Sequence, residues 1–340
     1  MPIPPVNAWP PLVAGYGWPS PATASGADDL QGTTLGSTQL QVSLLGLGTV
    51  ELGMPYGLGQ VTPPADDDCI RLLHHAVDHG ICYIDTAAAY GRSEELIGRA
   101  FAGRRRPVIA TKVALRDPDG TPWHGRRIVT GIEASIERSL RLLGTDALDL
   151  VQIHNDDAVV AGDPALREAM DTHLQSGEVR NWGASTYGRS APLTVIDYGE
   201  PIRTLQVAYS VLDRRLEEDV FPACQRAGVG RVLRSVFLQG VLSERRHSLP
   251  EDLLPLRQAA DAVARVADGL ALPLAQVALR FALFEAGAQV TLVGTADAAE
   301  LEANIGAAQD GPLPPDAVAA LRSIQVADER LLNPANWPRF

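Results

Sequence analysis

The chain has 340 residues, of which 46% are hydrophobic and 21% charged, and its mean hydropathy is near zero. That composition fits a soluble globular protein and excludes both disorder throughout and a membrane-spanning bundle. The formal net charge is −12, and no dense basic cluster occurs beyond Arg104, Arg105 and Arg106. A nucleic-acid footprint is therefore excluded, and a small-molecule ligand is expected.

Residues 1–32 are Pro-rich, with no basic n-region and no apolar run of signal-peptide length, and are expected to form an extended or disordered arm. Its Trp9 and Trp18 leave open packing on the body or on a second subunit of a homo-oligomer. From Thr33 the texture changes. LGSTQLQVS reads as a hairpin ahead of a first buried strand, Leu44 to Gly48. Further strands are expected at CYID (82–85), VIATK (108–112), LDLVQIH (148–154), NWGAS (181–185), TLQVA (204–208), GRVLR (230–234) and QVTLV (289–293). Amphipathic stretches separate them at Asp66–His79, Ser93–Phe101, Ile128–Leu143, Pro164–Ser176, Glu217–Ala227, Leu274–Phe284 and Ala298–Ala308, with the weakest crossover near Ala191–Tyr198.

Eight such units argue for a (β/α)8 TIM barrel over an open doubly wound sheet, since barrels run to about 250 residues as one domain. The expected division is the arm (1–32), one barrel (33–312) and a C-terminal helix and tail (313–340) lying over a barrel face. Pro250–Leu272 is too long for a simple connection and reads as an inserted helix or lid. Cys69, Cys82 and Cys224, an odd number without CxxC spacing, read as reduced, mostly buried thiols of a cytoplasmic protein.

Barrel enzymes place their chemistry where strands end. The polar residues in or closing the expected strands are Asp85, Lys112, His154, Ser185, Gln206 and Ser235, and Tyr90 follows Asp85 on the next loop. Tyrosine is a poor acid at neutral pH, with a reference pKa of about 10, but an adjacent ammonium stabilises phenolate. An Asp holding a Lys charged, and a His orienting the phenol, complete a general acid suited to carbonyl chemistry.

At these residues the chain resembles the aldo-keto reductases. The match is carried by CYIDTAAAYGRSEELIGRA (82–100), VIATK, LDLVQIH, WGAS (182–185), LQVAYSVLDRR (205–215), AQVALRFAL (275–283) and VGTADAAELEANI (293–305), and spans roughly residues 33–310 in family order. The resemblance implies a catalytic tetrad of Asp85, Tyr90, Lys112 and His154, an NAD(P)H cofactor across the barrel mouth, and a small carbonyl or alcohol substrate. By position it implies cofactor contacts at Gly48 and Thr49, at Asp85, and at Ser185 and Gln206 for the carboxamide. Ser235, Phe237, Leu238 and Gly240 are implied along the pyrophosphate, and Gly294, Thr295 and Asn304 near the adenine end.

Three departures from the family pattern bear on function. Thr186 stands where many members have Asn, and a hydroxyl replaces one amide hydrogen bond but not two. Arg234 stands where many have a tyrosine that stacks on the nicotinamide, and is expected to bind the pyrophosphate or an anionic substrate, provided the strand register does not turn it outward. Glu300 occupies a position that is commonly basic in NADP-preferring members, Asp297 is nearby, and no Lys or Arg occurs between Arg280 and Arg322. Two carboxylates there repel a 2′-phosphate, which places NAD(H) ahead of NADP(H), the family default, unless a basic residue arrives from elsewhere in the chain.

Other features read as structural. His75 and His79 have zinc-compatible i, i+4 spacing with His74 adjacent, but lie on an outer helix and read as its solvated face, so no metal is expected. Asp66, Asp67 and Asp68 suit a helix N-terminus. LGLGTVELG puts Glu51 where a dinucleotide loop needs its third glycine, and reads as the first barrel loop. Tyr56, Trp123 and Phe237 are the aromatics expected near the mouth, and His124, Arg126 and Arg127 the polar contacts, which suggests a polyol, sugar or glycosylated substrate. Alternatives of other classes are a lyase, dehydratase or epimerase using the cofactor transiently, and a nicotinamide-binding auxiliary subunit.

Overall fold

The structure, a computed structural model, describes residues 30, 32–56, 62–117, 119–154 and 162–337. The expected N-terminal arm, with Trp9 and Trp18, lies outside the described residues except for Leu30 and Gly32.

A hairpin opens the described chain, with β1 (Gly32–Thr34) antiparallel to β2 (Gln41–Ser43). Eight parallel strands then close into a barrel: β3 (Leu45–Gly48), β4 (Tyr83–Asp85), β5 (Val108–Val113), β6 (Leu150–His154), β7 (Trp182–Thr186), β8 (Ile202–Ala208), β9 (Gly230–Arg234) and β10 (Val290–Gly294), with β10 returning to pair with β3. Every expected barrel strand is present within two residues at each end. The connecting helices are α1 (Val50–Gly53), α2 (Asp66–Asp78), α3 (Ser93–Ala100), α4 (Arg126–Leu143), α5 (Pro164–Ser176), α6 (Ser190–Tyr198), α7 (Val220–Ala227), α8 (Leu254–Gly269), α9 (Leu274–Glu285), α10 (Ala298–Gln309) and α11 (Pro315–Ser323). The inserted segment after β9 consists of three short 3-10 turns (238–240, 244–248 and 251–253) followed by α8. Among the described residues no single helix is long and apolar enough to cross a membrane.

Parallel strands covered on both faces need two apolar sets, and both are present. One set packs between sheet and helices. The other fills the barrel, where Tyr83, Ala110, Leu150, Val232, Val290 and Leu292 point inward and meet Leu35 and Val42 of the hairpin. Leu35 is fully buried, and Ser37 donates its N–H to the Gly228 carbonyl at 3.0 Å, just before β9 begins. The hairpin thus plugs the barrel at the N-terminal ends of the strands. Chemistry is left to the opposite end.

The three cysteines are free and buried, and burial raises each thiol pKa, that of Cys224 to about 11. His75, His79 and Glu302 cluster on the outer face of α2 and α10, with His75 Nε2 2.8 Å from the Glu302 carboxylate. Asp66, Asp67 and Asp68 form the first turn of α2, where Asp66 pairs with Arg92 and Arg99.

Candidate active site

Side chains in a strand repeat every two residues, so each inward core residue has a successor nearer the mouth. Two residues beyond Tyr83 is Asp85, beyond Ala110 is Lys112, beyond Leu150 is Gln152 and then His154, and beyond Val232 is Arg234. The register puts Lys112 beside Gln152, His154 beside Ser185, and Ser185 beside Gln206. All of these side chains converge within the C-terminal half of the barrel.

Lys112 is fully enclosed and donates from Nζ to Asp85 Oδ2 at 2.6 Å, to the Thr86 carbonyl at 2.8 Å and to the Tyr90 hydroxyl at 3.4 Å. Asp85 Oδ1 accepts from Gln206 Nε2 at 2.6 Å and from Gln152 Nε2 at 3.5 Å. The buried ion pair therefore has the additional hydrogen bonds that such a pair requires. The Tyr90 and His154 rings meet edge to face, with centroids 5.9 Å apart. Burial, reinforced by the charges of Lys112, Arg234 and Arg116, pushes the His154 pKa down to about 3, so its ring is neutral at physiological pH.

The loop bearing Tyr90 is held from several sides. Thr86 Oγ1 donates to Ser93 Oγ, which bonds Thr49 Oγ1, and Thr49 in turn donates to the Asp85 carbonyl. The buried Glu94 carboxylate accepts from Thr111 and Ser139, both at 2.7 Å, tying the start of α3 to β5 and α4. Gly53 at the end of α1 abuts the loop so closely that a methyl group there would run into the Tyr90 carbonyl. Gly91 has φ of +55° and lies against the Gly53 carbonyl.

These residues line one end of a cavity of about 590 Å³. Of the expected site residues, Asp85, Tyr90, His154, Gly48, Thr49, Ser185, Gln206, Arg234, Ser235, Phe237, Gly240, Gly294 and Asn304 border it. Lys112 stands behind Asp85 and Tyr90. Four residues expected at the cofactor do not face the cavity. Thr186 is buried, its hydroxyl unpartnered and its carbonyl accepting from Arg234. Leu238 is buried, and Thr295 is buried with its hydroxyl on Glu300. Asp297 instead caps α10, accepting from the N–H groups of Ala299 and Glu300. Gln206 borders the cavity, but its amide already serves Asp85 and accepts from Ser185 Oγ at 3.3 Å.

Arg234 is oriented inward. Its guanidinium lies 3.9 Å from the Tyr187 ring centroid and donates to the Thr186 carbonyl at 3.2 Å and to Ser235 Oγ at 3.3 Å. Tyr56 keeps 38% of its surface exposed, yet burial raises its pKa, with Tyr187 and Tyr90 adding to the rise and Arg234 opposing it. The expected Trp123, His124, Arg126 and Arg127 do not border the cavity. Trp123 Nε1 instead bonds Asp117, and Arg127 pairs with Asp117 while lying over the Trp123 ring.

Glu51, Tyr187 and Arg245 are among the lining residues that had no place in the sequence reading of the site. Burial raises the Glu51 pKa, Arg245 opposes this and Glu300 adds to it, so the three charges act on one another across the cavity. A second cavity of about 300 Å³ shares Tyr187 as a wall and is closed by residues 329–336.

A family model described as the aldo/keto reductase family matches residues 44–326. The chain belongs to the aldo/keto reductase family. The uncharacterized oxidoreductase YqkF of Bacillus subtilis is 28% identical over 306 residues, 85% of this chain and 94% of its own. Aldo-keto reductase YhdN of the same organism is 30% identical over 218 residues, 62% of this chain and 63% of its own. Among solved structures, the holo form of aldo-keto reductase AKR11C1 from Bacillus halodurans has a TM-score of 0.72 at 28% identity, covering 87% of this chain and 96% of that one. The glycerol dehydrogenase AKR11B4 from Gluconobacter oxydans, at 23% identity, a TM-score of 0.68 and coverage of 88% and 95%, shares the fold. Membership makes the chain an NAD(P)H-dependent oxidoreductase acting on small-molecule carbonyl compounds.

The residues present fit a nicotinamide dinucleotide. Gly48, Gly240 and Gly294 leave the cavity wall bare, and Ser185, Ser235 and Asn304 offer polar groups along it. Arg245, which makes no ion pair among the described residues, offers a cation.

Proposed function

We propose that this reductase interconverts an aldehyde or ketone and an alcohol, with Tyr90 transferring the proton. The observation that carries the reading is the Tyr90 hydroxyl at the cavity wall, 3.4 Å from an enclosed ammonium that is itself 2.6 Å from Asp85. The cavity residues Gly48, Ser185, Ser235, Gly240, Gly294 and Asn304 would hold a nicotinamide dinucleotide, which would supply hydride chemistry there. Tyr90 donates its proton to the carbonyl oxygen as negative charge develops there, and Lys112, fixed by Asp85 and the Thr86 carbonyl, faces the phenolate left behind. Neutral His154 orients the substrate oxygen through an N–H without adding a second full charge.

The first test is titration of the purified protein with NADH and NADPH, following quenching of tryptophan fluorescence. Saturable binding is expected, and Y90F should keep it while losing reduction by about 10²- to 10⁴-fold. Binding of neither nucleotide, or full turnover by Y90F, would overturn the reading.

For the cofactor, the reading favours NAD(H). Glu300 borders the cavity and Glu51 adds a second carboxylate, although Asp297 is committed to the α10 cap. Arg245 is the basic residue that arrives from elsewhere in the chain, and its charge is opposed by the nearby Glu51 carboxylate. NADH should therefore bind more tightly than NADPH, and the same titration decides it. Of the residues behind the polyol or sugar expectation, His124, Arg126 and Arg127 stand outside the cavity lining.

A further inference from the structure

We infer that Arg234 forms an oxyanion subsite beside the reaction centre, so that the preferred substrate is a carbonyl compound carrying a carboxylate or phosphate group. The inference rests on the proposed carbonyl chemistry and names its substrate class.

Arg234 is held rather than free. The Thr186 carbonyl, the Ser235 hydroxyl and the Tyr187 ring face fix the guanidinium, and none of the three bears a negative charge. Among the described residues no carboxylate pairs with it. Of the other charges of the cavity, Asp85 is paired with Lys112, and the charges nearest Glu51 are the Arg245 guanidinium and the Glu300 carboxylate. Arg234 closes β9 and reaches the carbonyl of Thr186, the residue after Ser185, which pairs in register with His154, so the guanidinium stands at the catalytic end.

A guanidinium carries five N–H donors, of which two are engaged here, so about three remain in the fork that matches an oxyanion side-on. A partly enclosed cation with unused donors gains most from an anion that displaces its water. Tyr56 and Tyr187 supply apolar walls with polar tips next to that fork. A neutral substrate would leave those donors to water.

The test uses the holoenzyme with two matched aldehyde pairs: 4-carboxybenzaldehyde against methyl 4-formylbenzoate, and glyceraldehyde 3-phosphate against glyceraldehyde. The wild type should prefer the charged member of at least one pair in kcat/KM. R234Q should cut that preference at least about tenfold, the loss expected for a charge-assisted hydrogen bond, and R234K should restore part of it. The pair that responds distinguishes carboxylate from phosphate. A preference that is absent, or that survives in R234Q, overturns the subsite. So does an R234Q protein that binds NADH or NADPH more weakly while still discriminating the charged aldehyde, since the guanidinium would then serve the cofactor. If no aldehyde is reduced, the carbonyl reading falls and calorimetry decides the subsite alone. In that case benzoate or inorganic phosphate should bind wild type and not R234Q, and equal binding to both proteins would overturn it.

Discussion

His154 is enclosed among groups that resist a second positive charge, and this sets its response to acid. Its pKa, pushed down to about 3, lies below the ordinary histidine value, so the unfolded chain takes up the proton first. The stability this group contributes is present above the unfolded value and is lost as pH falls from there towards the folded one. Denaturant unfolding at about pH 7 and about pH 4.5 should show a smaller acid loss in H154Q than in wild type, and nitrogen NMR should find the ring neutral down to about pH 5. Glu51 acts in the opposite direction, since burial and Glu300 raise its pKa against Arg245. Cofactor affinity should rise as pH falls and Glu51 takes up a proton, because one repulsion from the anionic nucleotide disappears. Calorimetry on E51Q should find tighter NADH binding at neutral pH and a flatter pH profile.

Residues of the site were legible in the sequence where a strand position and a motif coincided. Asp85, Lys112, His154 and Arg234 stand at the ends of β4, β5, β6 and β9, so alternation alone aims them at the mouth. Tyr187 follows β7 directly, yet its direction depends on the Arg234 stack, a contact between the loop after β7 and the end of β9. Arg245 lies on a 3-10 turn, where neither two- nor 3.6-residue periodicity applies. Gln206 was legible as a site residue, but its service to Asp85 is set by barrel closure.

Among the elements, α1 shows how a single turn can govern chemistry. Val50–Gly53 is too short to be seen as an amphipathic pattern, and its role is to bring a residue without a side chain against the Tyr90 loop. G53A should push that loop outward and reduce kcat by at least about tenfold, since catalytic groups lose effect steeply when displaced by about 1 Å. A melting curve alongside the kinetics checks that the variant stays folded, and full activity in a folded G53A would contradict this account. Helices such as α2 and α4 were legible within a turn because each has one buried stripe, whereas α9 is buried at every position from Val277 to Leu283. The ends of α4 and α7 shifted because Arg126 and Glu217 are polar positions, where apolar spacing gives no boundary.

For the whole molecule, stability and chemistry sit at opposite ends of the barrel. Leu35 fills the closed end, and L35A should cost about 2–5 kcal/mol in urea unfolding while kcat at room temperature stays within about twofold of wild type. The same polarity separates the two ends of the described chain. Leu30 packs beside Gly80 beneath the start of β4, whereas residues 329–336 wall the second cavity beside Tyr187 at the mouth. A reporter or solid support joined ahead of Leu30 would hang on the face away from the reaction. The same attachment behind Trp337 would stand over the entrance and meter what reaches it.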